Sequence, residues 1–291
     1  MTTNTKTPSN PDKHTVLVIG ANGKTGRRVV QRLRDADYPV KAASRSSETP
    51  FDWNDQATWA PALEGAQAAY ITFYPDLTFP GAADKVEAFS KLAVSMGTKR
   101  LVLLSGRGEE GARDAEIRLE NSGADWTVVR CAVFNQNFSE SFADAIRHGH
   151  LAMPTGDILE PFIDAEDIAE VAYVALTEEG HAGQIYELSG PCLLSLDQVA
   201  QELSKAIGRE VKYHPVSIEA YAKELVLAGF SEEESLPIAQ LIADVLDGRN
   251  AYLTDGVQRA LGRAPRDFAD FAREEAANGT WDLQTAANRN L

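Results

Sequence analysis

The sequence predicts an α/β protein, with a doubly wound, mostly parallel sheet and a smaller, mainly helical C-terminal lobe. Three observations carry that prediction. Short apolar runs alternate with amphipathic helical stretches from Val16 to Arg130. Several of those runs, such as Leu101-Val-Leu-Leu104, are apolar throughout, as strands covered on both faces by helices are. From Ser217 to Phe271 the texture turns mainly helical.

The first strand, Val16-Leu-Val-Ile19, stops at Gly20, and Gly23 and Gly26 follow before a helix with Val29, Val30 and Leu33 on one stripe. Gly20 permits the tight turn, Gly23 the close approach of a phosphate, and Gly26 the close packing of helix on strand. A nucleotide pyrophosphate sits on such a helix N-terminus. Glycines at this spacing also serve a tight turn without a ligand. The strand before, the helix after and the N-terminal placement favour the nucleotide. Gly20, Ala21, Asn22, Gly23, Lys24, Thr25 and Gly26 are therefore the expected pyrophosphate loop.

A second strand runs from Tyr38 to Arg45. An acid at its exit would accept hydrogen bonds from the 2′-hydroxyl of NAD. Ser44 and Arg45 stand there instead, and Arg45, with Lys24 and Arg27 nearby, suits a 2′-phosphate. The expectation is NADP(H) in preference to NAD(H). The competing reading makes Arg45 a solvated loop residue. Asp52 and Trp53 lie in the next loop, where they flank an adenine ring or, for Trp53, simply pack.

A helix over 54–63 precedes a strand within 65–75, whose exit carries Thr72, Phe73 and Tyr74 at the expected mouth of a ligand crevice. The helix Ala82–Met96 buries Val86, Phe89, Ala93 and Met96. Strands follow at Arg100–Gly106 and Trp126–Arg130, with a helix over 111–121 between them. Residues 149–158 are rich in turn formers, and Asp164 is a natural N-cap for a helix bearing Ile168, Val171 and Ala172. Residues 184–188 and 211–214 are further strand candidates. The expected division is a disordered tail over 1–13, a cofactor-binding core over 14–150, and a lobe interleaved with it over 151–291.

A net charge of -15 over 291 residues argues against a nucleic-acid or anionic membrane surface. Two cysteines allow no disulfide framework and no cysteine-based zinc site. No apolar run is long enough to span a bilayer, and residues 2–13 lack the apolar stretch of a signal peptide. The expectation is a cytoplasmic monomer or homodimer that takes a small molecule and no metal.

Ser105 stands where short-chain reductases place a catalytic serine. Their Tyr-x-x-x-Lys pair, which donates the proton, is missing: no tyrosine lies between Tyr74 and Tyr173 and no lysine between Lys99 and Lys205. Helix 111–121 offers Arg113, Asp114, Glu116, Arg118 and Glu120, which read mostly as a solvated face. Arg107 faces the nicotinamide or a substrate oxygen, or else lies at the surface. His148 and His150 have no matching acid for a metal. Cys131 reads as a buried thiol at a strand end, beside the cofactor. Tyr74, Phe134, Asn137 and Phe138 are the expected substrate contacts, with Asn135 and Gln136 as neighbours; alternatively the two phenylalanines only pack the lobe.

Taken together, these residues resemble the NmrA-like family of atypical short-chain dehydrogenase/reductases, from about Thr15 to Trp281. The marks are Gly20-x-x-Gly23-x-x-Gly26, Leu104-Ser105, and Ser122-Gly123-Ala-Asp-Trp126-Thr127-Val-Val-Arg130 with Phe134-x-x-Asn137. Further on come Phe162-Ile-Asp164-x-x-Asp167-Ile168-Ala169 and Leu261-Gly262-Arg263-x-Pro265-Arg266-x-Phe268. The resemblance implies a Rossmann fold and an NAD(P)H-dependent oxidoreductase acting on a quinone-like or aromatic, even polyketide, acceptor. It also implies two alternatives: a regulator that senses NAD(P) without turnover, and a quinone-tailoring component that works with a monooxygenase. Members usually carry proline where this chain has Cys131, which alters the loop expected beside the nicotinamide.

Overall fold

The structure, a computed structural model, describes residues 13–283, so all of the expected tail except Lys13 lies outside the described residues. Four-residue strand β1 (Val16–Ile19) is wholly buried, as its β-branched and leucine sequence requires. It pairs in parallel with β2 (Val40–Ser44) on one side and β4 (Ala68–Ile71) on the other. Short β3 (Thr49–Pro50) extends the sheet beyond β2, and β5 (Arg100–Gly106) beyond β4, again in parallel. With β6 (Asp125–Cys131) and β8 (Gln184–Leu188) the order is β3-β2-β1-β4-β5-β6-β8. Chain direction across the sheet reverses between β1 and β4. In an open α/β sheet that reversal is the switch point, beyond whose strand C-termini ligands bind.

Helices α1 (Gly26–Asp35), α2 (Trp59–Leu63), α3 (Ala82–Ser95), α4 (Glu110–Glu120) and α6 (Ala165–Thr177) flank this mostly parallel sheet. One face of the sheet (Leu17, Ile19, Ile71, Leu101, Leu103) packs on Val86 and Phe89 of α3 and Leu119 of α4. The chain forms two compact units, one of residues up to 130 with 168–186, the other of 131–167 with residues from 187 onward.

The second unit holds α5 (Ala143–Arg147), α7 (Leu196–Ile207), α8 (Ile218–Leu227), α9 (Glu232–Val245), α10 (Gly256–Leu261) and α11 (Phe268–Ala277). Ser195 starts α7 with a full capping box, its hydroxyl accepting from the Gln198 N–H. The turn-rich reading of 149–158 is corrected: His150–Met153 is strand β7, paired in parallel with β9 (Lys212–Pro215). Its ladder partner is remote in sequence, and tertiary pairing overrides the local turn signal. The core of this unit gathers Phe138, Phe162, Phe268, Phe271 and Trp281. Among the described residues, no helix is long and apolar enough to cross a membrane.

Candidate cofactor site

At the switch point, Gly20 ends β1 with φ +70°, and a Cβ there would stand 2.2 Å from the Thr72 hydroxyl. That hydroxyl, at the end of β4, donates to the Ile19 carbonyl at 3.0 Å. A Cβ on Gly26 would lie 2.2 Å from the Gly20 carbonyl oxygen, so only glycine lets α1 start this close to the strand. Ala21, Thr25 and Gly26 are buried, whereas Asn22 and Gly23 are exposed. Lys24 is half-buried, and its carbonyl accepts from Arg28 at 2.7 Å. The exposed edge, backed by the α1 N-terminus, fits a pyrophosphate: at Gly23 a Cβ would meet only the Gly20 carbonyl, at 3.2 Å.

Asn22 ties this turn to the β2 exit by donating to Ser44 Oγ at 3.0 Å. Next to it, exposed Arg45 stacks its guanidinium over the ring of Tyr74, 5.2 Å from the centroid. Tyr74 is itself 62% exposed. The exits of β2 and β4 thus present a cation and an aromatic face side by side.

The loop after β3 behaves differently from expectation. Trp53 is a core ring rather than an adenine platform. It packs edge-on against Phe51, Trp59 and Phe89, tilts against Phe73 at 4.9 Å, and donates its indole N–H to the Thr72 carbonyl. Aromatic pairs at such spacings favour burial, and Trp53 has its polar handle satisfied inside. Asp52 uses its carboxylate locally, accepting from the Asn54 N–H at 2.8 Å.

At the ends of β5 and β6 the structure assembles a buried polar network. Ser105 donates its single hydroxyl proton to Glu116 of α4 at 2.6 Å. Arg130 grips the same carboxylate with Nε at 2.9 Å and Nη2 at 2.6 Å, and Arg113 adds a contact at 2.9 Å. Burial pushes Glu116 up, but Arg130, Ser105 and Arg113 outweigh it, so the acid sits below the usual carboxylate range. Two expectations are corrected here. Ser105 has no proton left to donate to a substrate oxygen, and Glu116 belongs to the interior rather than the solvated face. The helix periodicity contained that signal, because Glu116 shares its face with buried Ala112, Ala115 and Leu119. Arg107 is 1% exposed, which excludes the surface-arginine reading.

In the second unit, Cys131 is a buried thiol outside any disulfide. Phe134 is half-buried and bridges Ile163; half-buried Asn137 opens a short π-helical turn through Ser141. Phe138 is corrected from substrate contact to core. It is 1% exposed, enclosed by Phe142, Phe162 and Phe268, and its carbonyl accepts from the Trp281 indole. Two motifs singled out in the sequence form one latch. Asp164 accepts from Gln136 at 2.7 Å and pairs with Arg266 at 3.4 Å; Asp167 pairs with Arg263 at 2.8 Å and accepts from the Arg266 N–H at 2.7 Å. Burial raises Asp167 despite those two arginines. Among the described residues, no group of histidine, cysteine or acidic side chains could hold a metal.

A profile of the NmrA-like family matches residues 114–259. An NAD(P)H azoreductase of Xenophilus azovorans is 31% identical over 287 residues, spanning 90% of this chain and 98% of that protein. The chain belongs to the NmrA-like family. Solved structures agree on the fold. The Citrobacter sp. triphenylmethane reductase complexed with NADP(H) superposes with a TM-score of 0.74 at 21% identity, covering 90% of this chain and 99% of that one. The NADPH-dependent quinone oxidoreductase QOR2 of Escherichia coli, complexed with NADPH, gives 0.71 at 21%, covering 89% and 99%. NmrA, a negative transcriptional regulator in complex with NAD, gives 0.67 at 18%, covering 94% and 100%.

Proposed function

We propose that the protein is an NAD(P)H-dependent oxidoreductase that passes hydride to a small quinone-like or aromatic acceptor and prefers NADP(H) to NAD(H). One observation carries the reading. The glycine turn at the switch point offers an exposed phosphate edge, and Arg45 stands beside it over Tyr74. Gly20 to Gly26 would hold the pyrophosphate, and Ser44 and Arg45 the 2′-phosphate. When bound, the nucleotide supplies the hydride. The azoreductase relative and the fold likeness to reductases of dyes and quinones support an aromatic acceptor. A quinone also suits a chain without the Tyr-x-x-x-Lys pair, since its reduced anion is far less basic than an alkoxide.

A second reading, a nucleotide-sensing regulator, draws on that missing pair and on the likeness to NmrA. Stopped-flow oxidation of bound NADPH against a panel of quinones, azo dyes and aromatic ketones separates the two. Oxidation well above the solvent blank with at least one acceptor is expected. A flat response to every acceptor would leave the regulator.

A further inference from the structure

Strand β1 lies between β2 and β4, and neighbouring strands stand about 4.8 Å apart, so the exits of β2 and β4 are separated by about 10 Å. Three contacts nevertheless close a circuit around the end of β1. Thr72, one residue past β4, donates its hydroxyl to the Ile19 carbonyl. Asn22 in the glycine turn donates to the hydroxyl oxygen of Ser44, the last residue of β2, at 3.0 Å. One residue beyond Ser44 and two beyond Thr72, the Arg45 guanidinium then lies over the Tyr74 ring at 5.2 Å.

Both ends of this bridge are fixed. The Thr72 carbonyl accepts the Trp53 indole N–H at 2.9 Å, and Phe73 tilts against the buried Trp53 ring. On the other side the Ser44 N–H donates to the Ser47 hydroxyl at 2.8 Å, that hydroxyl donates to the Thr49 carbonyl at 2.8 Å, and the Phe51 N–H returns to the Ser44 carbonyl at 3.1 Å.

The hydrogen bonds at Ser44 select what the bridge can receive. Its hydroxyl oxygen accepts twice, from Asn22 and from the Ser46 N–H at 3.3 Å, so both lone pairs are used and the proton is what it offers. Arginine also only donates. A ribose 2′-hydroxyl offering its proton finds no acceptor in this pair, whereas a phosphate, which accepts only, suits both groups. A ring contact uses the face of a guanidinium and leaves its in-plane N–H fork to phosphate oxygens, so Arg45 can make both interactions at once.

We propose that Tyr74 is a positioning residue for NADP selectivity: its ring holds the Arg45 guanidinium between the exits of β2 and β4, ordered in advance for the 2′-phosphate. The inference rests on the nucleotide-binding reading above. An unsupported arginine must be ordered when its ligand arrives, which costs the equivalent of about two- to tenfold in affinity. Tyr74 removes that cost for NADP alone, because NAD carries no 2′-phosphate for Arg45 to grip. Tyr74 is exposed, so its replacement leaves the core intact.

The test is calorimetric titration of NADP and NAD into wild type, Tyr74→Phe, Tyr74→Ala, Arg45→Ala and the double variant, with urea midpoints as the control for folding. Tyr74→Ala should weaken NADP about two- to tenfold, leave NAD unchanged and keep the wild-type urea midpoint. Tyr74→Phe keeps the ring and should keep the selectivity. In the Arg45→Ala background, Tyr74→Ala should have no further effect, since the ring acts only through the guanidinium. Equal weakening of both nucleotides by Tyr74→Ala, undiminished in that background, makes the ring a nucleotide contact and overturns the proposal. Unchanged NADP affinity in Tyr74→Ala overturns it too; if Arg45→Ala alone still loses selectivity, the 2′-phosphate reading of Arg45 survives by itself. If wild type binds neither nucleotide, or Arg45→Ala keeps its selectivity, the site reading falls and the role of Tyr74 with it.

Discussion

Asn22, Gly23 and Arg45 in the first unit are exposed, and Tyr74 is open to solvent on 62% of its surface. Their polar groups are turned outward around the switch point of the sheet. The motif residues of the second unit are the opposite. Asp164, Asp167 and Phe138 are exposed by 1%, 0% and 1%. Their partners are Gln136, Arg263, Arg266 and a ring of phenylalanines within the same unit. A family mark in sequence is thus of two physical kinds. Residues around the glycine turn leave hydrogen-bonding capacity for a ligand, whereas the second pair of motifs uses its charges to fasten one segment of chain to another. A buried carboxylate facing arginines is costly to break and adds little over a well-packed apolar contact, so its role is geometric.

The contrast can be broken most sharply at Phe138. Removing a ring this enclosed leaves a cavity, and Phe138→Ala should cost about 3–5 kcal/mol in urea unfolding. Intact stability with a raised KM would instead return Phe138 to a substrate pocket. Next comes the latch. Asp167→Ala removes the ion pair to Arg263 and the acceptor of the Arg266 N–H and should cost about 3 kcal/mol, the low end for a broken buried pair because Arg263 is 36% exposed. Unchanged stability with lost turnover would make Asp167 a chemical residue.

Arg45→Ala should be the mildest for folding, since an exposed cation–π contact contributes about 0.5–1 kcal/mol. Its effect belongs to binding. Calorimetric titration should show NADP weakened about tenfold to a hundredfold, the loss of one charge-assisted contact of about 1.5–3 kcal/mol, with NAD little affected. Equal weakening of both nucleotides would remove Arg45 from the 2′-phosphate.

What the sequence determined by itself is local in origin. The stop of an apolar run at Gly20, the spacing to Gly26 and the stripe of Val29, Val30 and Leu33 depend on residues within one strand, turn and helix, so a linear reading finds them. The alternation of strands and helices likewise specified the sheet of the first unit. Tertiary structure decided whatever depends on a partner far along the chain. His150–Met153 becomes a strand only because Lys212–Pro215 lies beside it. Ser105 loses its role as a donor because Glu116, on the next helix, accepts its hydrogen bond. Phe138 and Trp53 were ambiguous as sequence, because an aromatic residue suits a pocket or a core equally well and only its neighbours choose.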